Sequence, residues 1–138
     1  MYESNAIIRY LFETYGDGKV PTGLALGPLT TASSVLASWT RGLGGSRASP
    51  SRAPEKPLEL WSFEVSPYCR IVRETLSRLE LPYLLHNLAK GSPRRPDFVA
   101  RSGRMMVPYL SDPNTGVAMF ESADIVAYLE KTYSAAGG

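Results

Sequence analysis

Residues 1–16 (MYESNAIIRYLFETYG) align without a gap on residues 119–134 (MFESADIVAYLEKTYS), with Met, Glu, Ser, Ile, Tyr, Leu, Thr and Tyr identical. Self-similarity of this kind marks a repeated structural unit, and it constrains the chain more than any composition does. The second copy closes a continuous stretch that starts near Leu58, whereas nothing precedes the first copy. The expectation is a chain that opens on the terminal helix of a truncated first module. Either it is a fragment of a tandem protein, or its first module has shrunk to this helix. One complete module follows over residues 57–135, and 138 residues leave no room for separate cofactor and substrate domains.

Composition narrows the classes. Hydrophobic residues at 43% and charged residues at 20% are enough for a packed core and rule out a wholly disordered chain. Fifteen Lys and Arg against 13 Asp and Glu give a net charge of +2, too small an imbalance to call for nucleic acid as a partner. With Cys69 the single cysteine and His86 the single histidine, an intramolecular disulfide and a multi-cysteine zinc site are excluded, so no metal is expected. A lone thiol suits a reducing compartment. No apolar run approaches the ~18 residues of a bilayer span, and charges occupy the N-terminus where a signal peptide is apolar, so the expectation is a soluble chain with no transmembrane segment of its own.

Residues 17–56 read as a linker whose ends are rich in Gly, Ser, Pro and Arg. Within it Leu29, Ala32, Val35, Leu36, Trp39 and Leu43 fall at near-helical spacing after Gly27-Pro28, which predicts a short amphipathic helix over about 28–43. Its apolar stripe either packs on a module or docks a protein partner. A membrane-surface role is weaker, because Arg41 is the one basic residue in the segment.

The complete module reads as alternating strands and helices. Leu58–Val65 alternates like a strand. Ser66-Pro67 then supplies an N-cap and a proline tolerated in the first turn, so a helix over Pro67–Glu80 follows, with Cys69, Val72, Leu76 and Leu79 on one face. Tyr83–Leu88 reads as a second strand, parallel to the first through a right-handed crossover. A short helix over Asp97–Arg101 precedes two strands, Val107–Ser111 and Val117–Phe120, joined by a DPNTG turn. Glu121–Tyr133 closes the module as a helix with Ile125, Val126, Leu129 and Tyr133 inward. The order β-α-β-α-β-β-α is that of an α/β, thioredoxin-like module with a mixed four-stranded sheet.

The string SPYCRIVRETLSRLELPYLLHNL resembles the opening of glutaredoxins and of the N-terminal domain of glutathione transferases. MMVPYLSDPNTGVAMFESADIVAYLEKTY resembles the close of the same domain, with its Val-Pro, its hairpin and its Glu-Ser pair. Together they cover residues 58–134. The tandem arrangement is similar to the two-module proteins of this family in plants, algae and cyanobacteria, which implies a plastid address.

The resemblance implies glutathione as substrate or ligand and assigns roles residue by residue. Ser66 matches the residue facing the glutathione sulfur at a helix N-terminus, where the dipole and a hydroxyl favour thiolate; a plain N-cap explains the same serine. Cys69 matches the second, resolving cysteine of dithiol glutaredoxins, the first being Ser66 here, and its place on the apolar stripe equally fits a buried hydrophobe. Val107-Pro108 matches a Val-Pro whose bond is cis and whose valine backbone pairs with the cysteinyl part of glutathione like an added strand. Glu121 and Ser122 match the pair that holds the γ-glutamyl end. Capping alone also accounts for them, since Glu3-Ser4 keeps the same pair without a module around it. Arg70 and Arg104 stand as candidates for meeting carboxylates or as surface residues, and His86 as a sheet residue.

Two functions follow. In the first, the chain binds glutathione and transfers or exchanges thiols through Ser66 and Cys69, with reduced or lost activity. In the second, it is a non-catalytic subunit of a larger assembly, a plastid membrane complex being the case that the resemblance suggests, and it uses the thioredoxin-like body as scaffold and the N-terminal helices to hold a protein partner.

Overall fold

The computed structural model describes residues 4–19 and 47–135. The helix predicted over 28–43 lies outside these residues. The chain divides into two units, Met1–Leu43 and Gly44–Gly138. In the first, α1 spans Ser4–Tyr15. Among the described residues no helix is long and apolar enough to cross a membrane.

The second unit is organised around β1 (Leu58–Ser62), which pairs in parallel with β2 (Tyr83–Asn87) on one side and antiparallel with β3 (Tyr109–Asp112) on the other. A hairpin adds β4 (Val117–Phe120), and the sheet order is β2-β1-β3-β4. This is the mixed four-stranded, thioredoxin-like sheet expected from the sequence. The predicted first strand is shorter than expected because Phe63, Glu64 and Val65 leave the sheet, with Ser66 N–H donating to the Phe63 carbonyl at 3.0 Å. The third begins at Tyr109 rather than Val107, since Pro108 has no N–H for the ladder.

Alternation along β1 divides the core in two. Leu58 and Leu60 point to one face, where α2 (Pro67–Arg78) and α4 (Ser122–Tyr133) cover them with Val72, Leu76, Leu79, Ile125, Leu129 and Tyr133. Trp61 points to the other face and packs with Leu88, Tyr109 and Phe98, the last carried by α3 (Arg95–Ser102). That helix is longer than the predicted Asp97–Arg101; Arg95 anchors its start by donating to the Leu88 and Ala89 carbonyls at 3.1 and 3.0 Å. Gly103, at φ 83°, ends it.

The stop of α2 is a Schellman arrangement. Glu80 N–H returns to the Ser77 carbonyl at 3.1 Å and Leu81 N–H to the Leu76 carbonyl at 3.0 Å, with Glu80 at φ 50° in the position glycine usually takes. Pro82 then starts the extended chain of β2.

Residues expected to be linker belong to this unit. Ser49 and Arg52 donate their N–H groups to the carbonyls of Arg78 and Tyr133 at 2.7 and 2.8 Å, and Ala135 N–H donates to the Pro50 carbonyl at 2.9 Å. Ser51 bridges Ser134, and its hydroxyl donates to the Leu79 carbonyl at 2.5 Å. Segment 49–52 therefore supplies the missing partners of two helix C-termini. Its serine and proline content resembled linker, and only the tertiary contacts show otherwise.

At the end of β3, Asp112 is 1% exposed and accepts four hydrogen bonds. Tyr128 and Tyr133 donate to Oδ2 at 2.6 and 2.5 Å, and the Asn114 backbone and side-chain N–H groups to Oδ1 at 2.8 Å each. Burial raises the pKa of this carboxyl, but the hydrogen bonds from Tyr128, Tyr133 and Asn114 outweigh it and hold the group below the usual aspartate range. The same network pushes the Tyr133 hydroxyl far up, through burial first and the Asp112 carboxylate second.

Three substitutions test these contacts. Replacing Asp112 by Ala removes the acceptor shared by the Tyr128 and Tyr133 hydroxyls and should lower unfolding free energy by about 3 kcal/mol in urea titration. Because the folded pKa is depressed, the ionised Asp112 stabilises the fold above the unfolded value of about 3.9, and that contribution is lost as pH falls from there through the folded pKa; Asp112→Asn should flatten this part of the acid-unfolding curve. Ser51→Ala should cost about 1 kcal/mol by the same assay, as the clasp loses one bond to the end of α2.

Candidate functional site

The N-termini of α2 and α4 and the start of β3 converge at one end of the sheet. Ser66 caps α2 in extended conformation, its Oγ accepting from the Cys69 N–H at 3.4 Å. This bond uses the oxygen as acceptor and leaves the hydroxyl hydrogen free to donate. Pro67 fills the first turn, so Tyr68 is set on the solvent side, 62% exposed. Cys69, one residue on, turns into the core at 0% exposure, where its sulfur accepts a hydrogen bond from the Phe63 N–H at 3.4 Å.

The Val107-Pro108 bond is cis. Beyond the hairpin, Glu121 stands at φ 67° immediately before α4, with its carbonyl accepting from the Ile125 N–H at 3.0 Å. The side chain of Glu121 makes no capping bond to α4. Between these elements lies a half-open groove of about 240 Å³, lined by Tyr68, Met106, Val107, Pro108, Glu121 and Ser122.

Four of the residues singled out from the sequence thus meet in one groove: Val107, Pro108, Glu121 and Ser122. Ser66 and Cys69 are not among its lining residues. Ser66 is half-buried at the cap, and Cys69 is enclosed, so its sulfur has no open path to a bound thiol in this conformation. Tyr68 and Met106 are additions. Tyr68 stands inside the S-P-Y-C string, and its side was readable from Cys69 being on the apolar stripe one residue away; Met106 carried no such signal.

Arg70 and Arg104 are not among the residues lining the groove. Arg70 contributes, after the directly bonded Arg73, to holding the Glu64 carboxyl below its usual range. The Arg104 guanidinium lies 4.3 Å from the centroid of the Phe120 ring. His86 belongs to the face covered by α3, stacked on Trp61 at 4.3 Å with Nε2 3.1 Å from a Glu59 carboxylate oxygen.

The groove offers three kinds of recognition. The N-terminus of α4 presents N–H groups without intrahelical partners, which suit a carboxylate. The Glu121 carboxylate beside it suits an ammonium. Val107 brings backbone into the groove, and Tyr68, Met106 and Pro108 give it apolar walls.

Comparison with known proteins agrees with this geometry. Residues 60–137 match the family described as glutathione S-transferase, N-terminal domain. A glutathione S-transferase-like protein, tpcF, of Aspergillus fumigatus is 34% identical over 58 residues, 42% of this chain and 26% of that protein. Among solved structures, the Bombyx mori glutathione transferase BmGSTD1 superposes with a TM-score of 0.52 at 27% identity, over 61% of this chain and 39% of its own. A diazinon-metabolizing glutathione S-transferase of the same silkworm gives 0.50 at 26% identity, over 56% of this chain and 38% of its own. The chain therefore spans about a quarter of the curated relative and less than two-fifths of these transferases. With the sheet order, the groove and the matched residues in agreement, the chain belongs to the glutathione S-transferase N-terminal domain family.

Proposed function

We propose that this groove binds glutathione. The observation that carries the reading is the adjacency of the Glu121 carboxylate and the Ser122 end of α4 in one groove with Val107. A carboxylate beside a helix N-terminus complements a zwitterion, and the γ-glutamyl end of glutathione carries an ammonium and a carboxylate on one carbon. The Val107 backbone then serves the cysteinyl part as an added strand does.

Thiol activation is assigned to Ser66 rather than Cys69. The Ser66 hydroxyl retains its hydrogen for donation and sits at the positive end of α2, both of which favour a thiolate nearby. Capping and activation use opposite sides of the same hydroxyl, so the two roles are compatible. Cys69, enclosed with its sulfur bonded to the Phe63 N–H, acts as a core residue. Thiol transfer, as an activity of the whole protein, is part of this proposal.

The tandem reading extends it. Both α1 and α4 are 12 residues long, begin on the serine of a Glu-Ser pair and end on a tyrosine, which supports descent from a repeated module. A plastid address remains attached to that reading.

Titration of the full chain with reduced glutathione, followed by calorimetry, should saturate in the millimolar range. Ser122→Ala should weaken binding roughly tenfold, as should Glu121→Gln, since each removes a hydrogen bond to a charged group. Absence of saturable binding at those concentrations overturns the reading. Ser66→Ala should leave affinity nearly unchanged while lowering stability by about 1 kcal/mol through loss of the cap, and should reduce thiol transfer.

A further inference from the structure

Strand β2 is an edge of the sheet, and among the described residues no backbone pairs with its outer side. The ladder to β1 identifies which of its groups are left over. Leu58 N–H donates to the Pro82 carbonyl at 3.0 Å and Leu88 N–H to the Ser62 carbonyl at 2.9 Å, in a register running from Leu58↔Tyr83 to Ser62↔Asn87. Parallel ladders use alternate residues, so Pro82, Leu84, His86 and Leu88 serve β1. The amides and carbonyls of Tyr83, Leu85 and Asn87 point outward.

Edge strands are ordinarily guarded by lysine, by other inward charges, by proline or by a bulge. The sequence YLLHN holds no Lys, Arg, Asp, Glu or Pro, and it leaves Leu84 53% and Leu85 40% exposed. Charges appear only beyond its ends. Glu80 sits on the left-handed turn after α2 and Lys90 follows the strand; both are exposed, and neither is in an ion pair among the described residues.

We propose that β2 pairs antiparallel with β2 of a second copy of this chain, about a two-fold axis through Leu85. The outward groups are symmetric about that residue: Tyr83 meets Asn87 of the second copy, Leu85 meets its own mate, and Asn87 meets Tyr83, each as a hydrogen-bonded pair. A shift of one residue sets outward groups against residues already bonded to β1. A shift of two keeps the bonding pattern but moves the charges apart. Centred on Leu85, the pairing brings Glu80 toward Lys90 of the second copy at both ends of the strand pair. A strand acidic at one end and basic at the other is complementary to itself when reversed, which makes the contact isologous and favours a second copy over an unrelated strand. Two four-stranded sheets then become one continuous sheet. The inference is independent of what the groove binds.

Sedimentation of the full chain over a range of protein and salt concentrations tests this. A concentration-dependent dimer, weakened by salt as exposed ion pairs are, is expected. Leu85→Lys places like charges opposite each other on the axis and should raise the dimer Kd at least roughly tenfold with the far-ultraviolet circular dichroism unchanged. Glu80→Lys and Lys90→Glu should each weaken the dimer several-fold, and the two together should restore it. These charges lie outside the sheet, so they keep the test decisive if Leu85→Lys perturbs folding. A chain that stays monomeric overturns the proposal, as does a dimer indifferent to Leu85→Lys. Failure of the double reversal to restore the dimer overturns the register about Leu85.

Discussion

Burial of β1 on both faces is the constraint on which the remaining elements depend. A strand flanked by two others and covered above and below must find apolar partners in both directions, and Leu58, Leu60 and Trp61 set what those partners are. On the leucine side the space between sheet and helices is filled by aliphatic residues of α2 and α4. On the tryptophan side a single short helix suffices, because Trp61, Phe98, Tyr109 and Phe120 fill the volume as a chain of ring contacts between 4.6 and 5.9 Å. Each fully buried side chain of this size contributes about 2 kcal/mol relative to exposure. The aromatic side carries charges at its margin: the Arg101 guanidinium lies 4.7 Å from the Trp61 ring centroid, and the Glu59 carboxylate reaches toward both Arg101 and His86.

Much of this is legible in the amino-acid sequence. The inward faces of α2 and α4 follow from helical spacing: Cys69, Val72, Leu76 and Leu79, and then Ile125, Leu129 and Tyr133, are buried as the pattern requires. The start of α2 was fixed by Ser66-Pro67, where local chemistry alone decides. Other features were not legible because their causes are non-local. The buried Asp112 carboxyl is held below its usual range by Tyr128 and Tyr133, which arrive from α4, as well as by Asn114, and a lone aspartate in a DPNTG turn looks like ordinary turn chemistry. The strand ends moved for the same reason: pairing partners, rather than propensity, decide where a ladder stops.

The candidate site shows the same division. Val107, Pro108, Glu121 and Ser122 were readable through resemblance, and the structure brings them into one groove. The side taken by Cys69 follows from helical spacing, but its role, resolving thiol or buried hydrophobe, does not; its sulfur is enclosed and accepts from the Phe63 N–H. Its neighbour Tyr68 takes the solvent side, so the cysteine takes the other. The groove accordingly owes its walls to an aromatic residue and its chemistry to backbone ends and a carboxylate, leaving the thiol to packing.

The clasp of Ser49–Arg52 against Ser134 and Ala135 has a topological consequence. The segments by which the chain enters and leaves this unit lie side by side and run in opposite directions. Because these segments are adjacent, inserting such a unit into a longer polypeptide changes the spacing of the flanking segments very little. Tension along such a polypeptide is met first at the clasp, bond by bond from its open end. The sheet and its groove are shielded from that load until the clasp has parted.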